Sequence, residues 1–269
     1  MANVVTSVGR RTLDAVEGLG RVSLFARDLA YWMFTSLPPR RAFVPILYEV
    51  GVRSLPVVLV TGTFIGMVLA VQMYGQLYRL QAQNAIGMII NLSMVKEMGP
   101  VLAAVILAGR VGGAMAAELG TMRVTEQIDA LSVMGANPIR YLILPRFLAM
   151  LILTPLLTVF SDGIGVFAGW LVSCRALGIP SFFYWENSRI LVDTWDVWMG
   201  VVKSVVFGGL IGLVACYKGY YSKSGAEGVG RATTMAFVAS FIGILVANFF
   251  LAVLMRHLYK AFVSPTGLG

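Results

Sequence analysis

Charged side chains are scarce in this sequence. Of its 269 residues, 13 % are Asp, Glu, Lys or Arg, whereas a soluble domain carries about a quarter. Residues that usually carry chemistry are scarcer still: one histidine, His257, and two cysteines, Cys174 and Cys216. A disulfide framework needs more cysteines, and a tetrahedral metal site needs clustered ligands. No Gly-x-x-x-x-Gly-Lys-Ser/Thr phosphate loop occurs, so the chain has no means of hydrolysing ATP itself. No catalytic residue and no metal ligand is assigned. Both cysteines read as packing residues, because a free thiol in an apolar run behaves as a small hydrophobe. His257 reads as an interfacial side chain.

Apolar surface takes the place of charge. Hydrophobic residues make up 58 % of the chain, and the mean hydropathy is +0.81. A globule of this size keeps too large a rim to hide that surface from water. A water-soluble enzyme or a nucleic-acid binder is excluded, despite a net charge of +8. In a membrane protein such an excess reflects basic loops facing anionic lipid on the cytoplasmic side.

A spanning helix needs about 20 mostly apolar residues. Segments 55–78, 147–172, 197–217 and 232–255 meet that requirement without interruption. A fifth, 86–117, is interrupted by Lys96-Glu97-Met98-Gly99-Pro100. Proline lacks the backbone donor and clashes with the preceding turn, so a kinked span or a re-entrant hairpin is expected there. The sequence thus predicts an all-α integral membrane protein with five spans, the second broken or re-entrant. Fourteen of the 21 basic residues fall before span one, between spans two and three (with Arg110, near the inner end of span two, counted there), or between four and five. The positive-inside bias then places the N-terminus in the cytoplasm and the C-terminus outside it.

Before the first span, Arg10, Asp14, Glu17, Arg21 and Asp28 share one helical stripe, with Val5, Val8, Val16 and Leu19 opposite. This is the pattern of an interfacial amphipathic helix, although a soluble helix packed on a partner shows it too. Glycines recur at spacing four: Gly62/Gly66, Gly109/Gly113, Gly165/Gly169 and Gly208/Gly212. They point to close helix packing, within one subunit or across a dimer.

Ionisable groups inside a span are costly unless they meet a partner or a cavity. Lys96, Glu97, Arg110, Asp162 and Lys203 are such groups. Lys96 and Glu97 either emerge at the outer interface or line a water-filled cavity. Arg110 and Glu118 are expected to reach toward the cytoplasmic boundary, and Lys203 and Asp162 are a candidate pair. After span two, Thr125 suits an N-cap, Glu126 and Asp129 suit a helix start, and Gly135 with Pro138 suits its end. The short helix between them is either a surface linker or a docking element for a partner's groove.

Several stretches carry a resemblance: Gly62-Thr-Phe-Ile-Gly-Met-Val-Leu69, Lys96-Glu97-Met-Gly-Pro-Val101, Ala108-Gly-Arg110-Val-Gly-Gly113, Glu126-Gln-Ile-Asp-Ala-Leu131, Pro145-Arg-Phe147 and Gly230-Arg-Ala-Thr-Thr234. In that order they resemble the MlaE/YrbE permease family, the lipid-transporting ABC permeases of the Mla (maintenance of lipid asymmetry) and Mce systems. The likeness runs over roughly residues 45 to 255 and leaves the tail 263–269 unmatched. It implies one permease domain over 1–262, with an interfacial helix and linker in 1–45 and a bundle in 55–255. It implies a homodimer in the bacterial inner membrane, driven by two cytoplasmic ABC ATPase subunits that bind the ATP and Mg; this chain itself holds no cofactor. A hexameric periplasmic MCE-domain protein and a STAS-domain protein on the ATPase complete the implied assembly. The implied cargo is glycerophospholipid, moved between inner and outer membranes to maintain lipid asymmetry.

The resemblance makes Glu126, Gln127, Asp129 and Leu131 the ATPase-coupling residues. It also suggests that Leu69, Met73, Tyr74, Leu77 and Leu80 contact acyl chains, with Lys96 and Glu97 near the headgroup. Core packing or simple lipid exposure would explain the same stripe. Two rival functions are an ion-coupled secondary lipid transporter using Lys96, Glu97, Asp162 and Lys203, and a membrane scaffold that transports nothing.

Overall fold

The computed structural model describes residues 2–36, 38–223 and 225–262. The tail 263–269 lies outside them, as do the side chains of Val5, Val8, Arg10 and Asp14. Eight helical elements follow in order: α1 (Ala2–Thr35), α2 (Arg40–Arg79), α3 (Gln83–Val124), α4 (Gln127–Val133), α5 (Ile139–Ala176), α6 (Ser181–Leu191), α7 (Thr194–Tyr220) and α8 (Gly225–Phe262). Five of these, α2, α3, α5, α7 and α8, are long and apolar enough to cross a membrane. Each exceeds the expected span at one or both ends. The alternation puts α1 and α4 at one end of the bundle and α6 at the other; after the expected orientation these ends are named inner and outer.

Span two decides against one of the two sequence readings. α3 is one continuous helical run of 42 residues, a full span and not a re-entrant hairpin. Instead of breaking, it widens into π turns at Met94–Met98 and Ala108–Gly112. Pro100 falls in the first turn after the wider stretch, and its missing N–H leaves a carbonyl of that stretch to be met from outside the helix.

Glycine sets how closely the spans approach. A Cβ built on Gly66 of α2 would lie 2.0 Å from the Gly165 carbonyl oxygen of α5. One built on Gly208 of α7 would lie 2.5 Å from the Met150 carbonyl of α5. Gly109 and Gly113 meet Phe237 and Thr233 of α8. The spacing-four glycines therefore pack helices within one subunit, as small residues do where no solvent drives association. Val58, Leu107, Met150, Phe207 and Ile244 form the central core. A second cluster joins Ala70, Leu77, Ile86, Ile90 and Tyr184 near the outer end. A third holds Leu119, Ile143 and the buried Cys216 near the inner end.

Two peripheral helices extend this frame. Phe25 and Leu29 of α1 enter the third cluster, where the Phe25 ring meets Tyr217 edge-on at 5.6 Å. Val16 and Leu19, one turn and more before, stay exposed. The sequence reading contained no counterpart of α6. Its Tyr184 hydroxyl donates to Asn91 Oδ1 at 3.0 Å, and Asn91 Nδ2 donates to Ser188 Oγ at 2.8 Å. Burial pushes the Tyr184 pKa up, which keeps the hydroxyl a donor. A polar knot of this kind, rather than hydrophobic periodicity, fastens α6 to α3.

Candidate functional site

The first π turn of α3 builds the most concentrated ionic site. Because Pro100 has no N–H, the Lys96 carbonyl four residues earlier loses its helical donor. Lys203 Nζ of α7 supplies one instead, donating to that oxygen at 3.1 Å. The same ammonium contacts Glu97 Oε1 at 2.7 Å, and Asn248 Nδ2 of α8 donates to Glu97 Oε2 at 3.1 Å. Lys96 Nζ pairs with Asp196 Oδ1 at 2.8 Å. Asp196 in turn takes part in a reciprocal capping box with Asp193 at the start of α7, which fixes the carboxylate's position. Gly200 makes the approach feasible: a Cβ there would lie 2.3 Å from the Val95 carbonyl.

Burial is unequal across the network. The Lys203 side chain is 0 % exposed, whereas Glu97 is 41 % and Lys96 36 % exposed. The open faces of Lys96 and Glu97 line a cleft of about 580 Å³ with Trp195, Met199, Arg256 and Tyr259. Two spans, α3 and α7, thus deliver two cation–carboxylate pairs beside one cavity that α8 helps to line. A polar group brought there could exchange partners without leaving a charge uncompensated.

The suggested Asp162–Lys203 pair does not form, since Lys203 is taken by Glu97. Asp162 faces the other side of the π turn, against Gly99, and its Oδ1 is buried without a hydrogen-bond partner among the described residues. The apolar stripe on α2 is divided. Leu77 is buried in the second cluster, Leu69, Met73 and Tyr74 pack half-buried against it, and Leu80 is 74 % exposed. None of the five lines the Lys96–Glu97 cleft within the subunit.

At the inner end, α4 follows α3 after a two-residue turn. Thr125 does not cap it: its hydroxyl donates to the Thr121 carbonyl at 2.9 Å. Glu126 is the N-cap, held at φ +58°, a left-handed conformation that costs a non-glycine residue roughly 1 kcal/mol. Gly135, at φ +76°, ends the helix as expected. Ile128 is buried and Leu131 half-buried, so the helix is pinned from beneath. Glu126, Gln127 and Asp129 face outward, with Asp129 held by Arg123. Val133 and Met134, 87 % and 72 % exposed, form an apolar tip.

Sequence reasoning also missed Asn248 and Asp196 as members of the outer network. Asn248, a polar amide in an otherwise apolar run, was the signal available for the first. The residue-106 separation of Glu97 and Lys203 hid their pairing from any local pattern.

Five apolar spans enclosing paired charges define a multi-pass membrane protein. Comparison with known proteins gives the class its name. Residues 43–254 match the family model described as Permease MlaE. A probable ABC transporter permease protein of Rickettsia felis is 43 % identical over 251 residues, covering 93 % of this chain and 96 % of the relative. The Haemophilus influenzae intermembrane phospholipid transport system permease protein MlaE is 33 % identical over 260 residues, covering 95 % and 98 %. The chloroplastic protein TRIGALACTOSYLDIACYLGLYCEROL 1 of Arabidopsis thaliana is 39 % identical over 206 residues, covering 77 % and 59 %. The chain belongs to the MlaE permease family and is an ABC transporter permease.

Proposed function

We propose that this permease moves glycerophospholipids between the inner and outer membranes of a bacterium, as the name of its Haemophilus relative suggests, and so maintains outer-membrane asymmetry. The observation that carries the reading is the paired Lys96–Asp196 and Glu97–Lys203 network opening onto a cleft at the outer end of the spans. A headgroup phosphate can take the place of Asp196 on the part-exposed Lys96, and a headgroup ammonium can meet the open face of Glu97, while the acyl chains lie among apolar spans. The reading takes the chain as an inner-membrane protein with its N-terminus in the cytoplasm, its C-terminus in the periplasm and α1 at the inner interface.

Two copies form the permease in this proposal. α8 has only 11 % of its apolar window buried within the subunit, and the exposed face bearing Phe241, Leu245 and Phe249 is left for a second copy. Leu69, Met73, Tyr74 and Leu80 are taken to approach acyl chains when two subunits enclose the pathway. α4 is the coupling helix: Glu126, Gln127, Asp129 and Leu131 present to an ATPase subunit that binds ATP and Mg. A hexameric MCE-domain protein caps the outer end, and a STAS-domain protein sits on the ATPase.

The test is ATP-driven lipid transfer by the permease reconstituted with its ATPase in vesicles. Glu126→Lys is expected to leave the chain folded and to cut transfer at least tenfold, the effect of about 1.4 kcal/mol or more on coupling. Normal transfer by that variant refutes the assignment of α4. Transfer without nucleotide, following membrane potential, refutes the ABC mechanism itself.

A further inference from the structure

α3 carries a second π turn, and it too bears a cation. Arg110 sits in Ala108–Gly112 as Lys96 sits in Met94–Met98. Fourteen residues separate the two, about 21 Å along a helix axis, so they lie at different depths of a hydrocarbon layer roughly 30 Å thick. π turns inside α-helices recur at functional sites.

Arg110 is half-buried and lines a cleft of about 380 Å³ between the inner parts of α2, α3 and α5. One guanidinium N–H donates to Ser54 Oγ. Its remaining donors meet no protein acceptor among the described residues. The carboxylates of the cleft are engaged elsewhere: Glu118 holds Arg146 at 2.6 Å and Glu49 holds Arg53 at 3.4 Å. Arg146 is itself committed, donating also to the Leu142 carbonyl. An arginine left without a counter-ion at this depth is costly, and its planar fork matches two oxygens of a phosphate. Ile46, Val50 and Met115 give the same cleft apolar walls, suited to the glycerol end of a lipid.

We propose that the Arg110 cleft binds the phosphate group of a phospholipid headgroup at the inner end of the bundle, a second station separate from the Lys96–Glu97 cleft. Phosphate recognition follows from Arg110 alone; naming the ligand a lipid rests on the permease reading above. Free phosphate has the same chemistry, and the experiment separates the two.

The full chain in nanodiscs is photolysed with phosphatidylethanolamine bearing a diazirine near the glycerol, and adducts are mapped by mass spectrometry. Adducts are expected around Ala114 and Met115, falling about tenfold in Arg110→Gln through loss of charge-assisted hydrogen bonds and partly restored in Arg110→Lys. Adducts at Trp195 and Met199 of the outer cleft should persist in both variants. Ala114→Leu, which narrows the cleft with Arg110 intact, should give the same loss and decides the matter if Arg110→Gln does not fold. Inner adducts unchanged in Arg110→Gln and Ala114→Leu overturn the proposal. So does displacement of lipid by inorganic phosphate, which would make this a soluble-anion site. Absence of outer adducts alone counts against the transport reading instead.

Discussion

The unequal burial of Glu97 and Lys203 predicts that their single removals will differ. Glu97→Gln leaves the Lys203 ammonium, 0 % exposed, without its carboxylate; stranding a buried charge costs about 3–5 kcal/mol. Lys203→Met fills a similar volume with apolar atoms. It abandons a carboxylate that is 41 % exposed and can hydrate through the cleft. Its main cost is the orphaned Lys96 carbonyl, about 1–3 kcal/mol. Glu97→Gln should therefore be the more damaging by about 2 kcal/mol, roughly 5 °C in midpoint if the scaling for soluble domains of this size holds. The double variant removes both charges and should be more stable than Glu97→Gln alone. Thermal unfolding of the four proteins in one detergent measures the cycle. Additive single effects, or a Lys203→Met variant weaker than Glu97→Gln, would refute the argument that Lys203 depends on Glu97 for its place in the bundle.

Two further outcomes follow from packing. Gly66→Ala places a methyl where 2.0 Å separates it from the Gly165 carbonyl, so α2 must move off α5; a loss of at least 1–3 kcal/mol is expected, read by thermal unfolding. Gly75→Ala, which meets open space inside the same helix, should cause no loss and raise stability by up to about 1 kcal/mol. Tyr184→Phe removes the donor to Asn91 and the Val166 carbonyl, costing about 1–2 kcal/mol and exposing α6 to limited proteolysis faster than in the unaltered protein.

The spans were legible because lipid admits only long apolar runs with internally satisfied backbones, a requirement written locally in composition. The limits of Gly135 and the packing role of Cys216 were legible for the same reason, each being decided by near neighbours. What escaped was decided at long range. Pro100 reads as an interruption when only its own helix is considered, because the donor that compensates the Lys96 carbonyl comes from Lys203, 107 positions away. α6 has only 11 residues, too few to span, and depends on polar partners in α3 and α5. Thr125 was the better capping residue by type, yet the tight turn out of α3 puts Glu126 at the cap despite its backbone cost.

These long-range substitutions bear on how force would travel. From Lys96 to Val124, 28 residues of one helix span about 42 Å, and α4 is attached at the far end after two residues. A straight α-helix of that length would carry a displacement of α4 to the outer cleft as a rigid rod. α3 is not uniform: its two π turns are the points where i→i−4 bonding is already surrendered, and each is held by groups from other spans, Lys203 of α7 and Asn248 of α8 at one, Ser54 of α2 at the other. Movement along α3 must therefore strain or exchange those particular contacts before it can change the rest of the helix. The charged residues at the two clefts would then be the first groups to respond to the ATPase, and the apolar segment Val101–Leu107 between them the last.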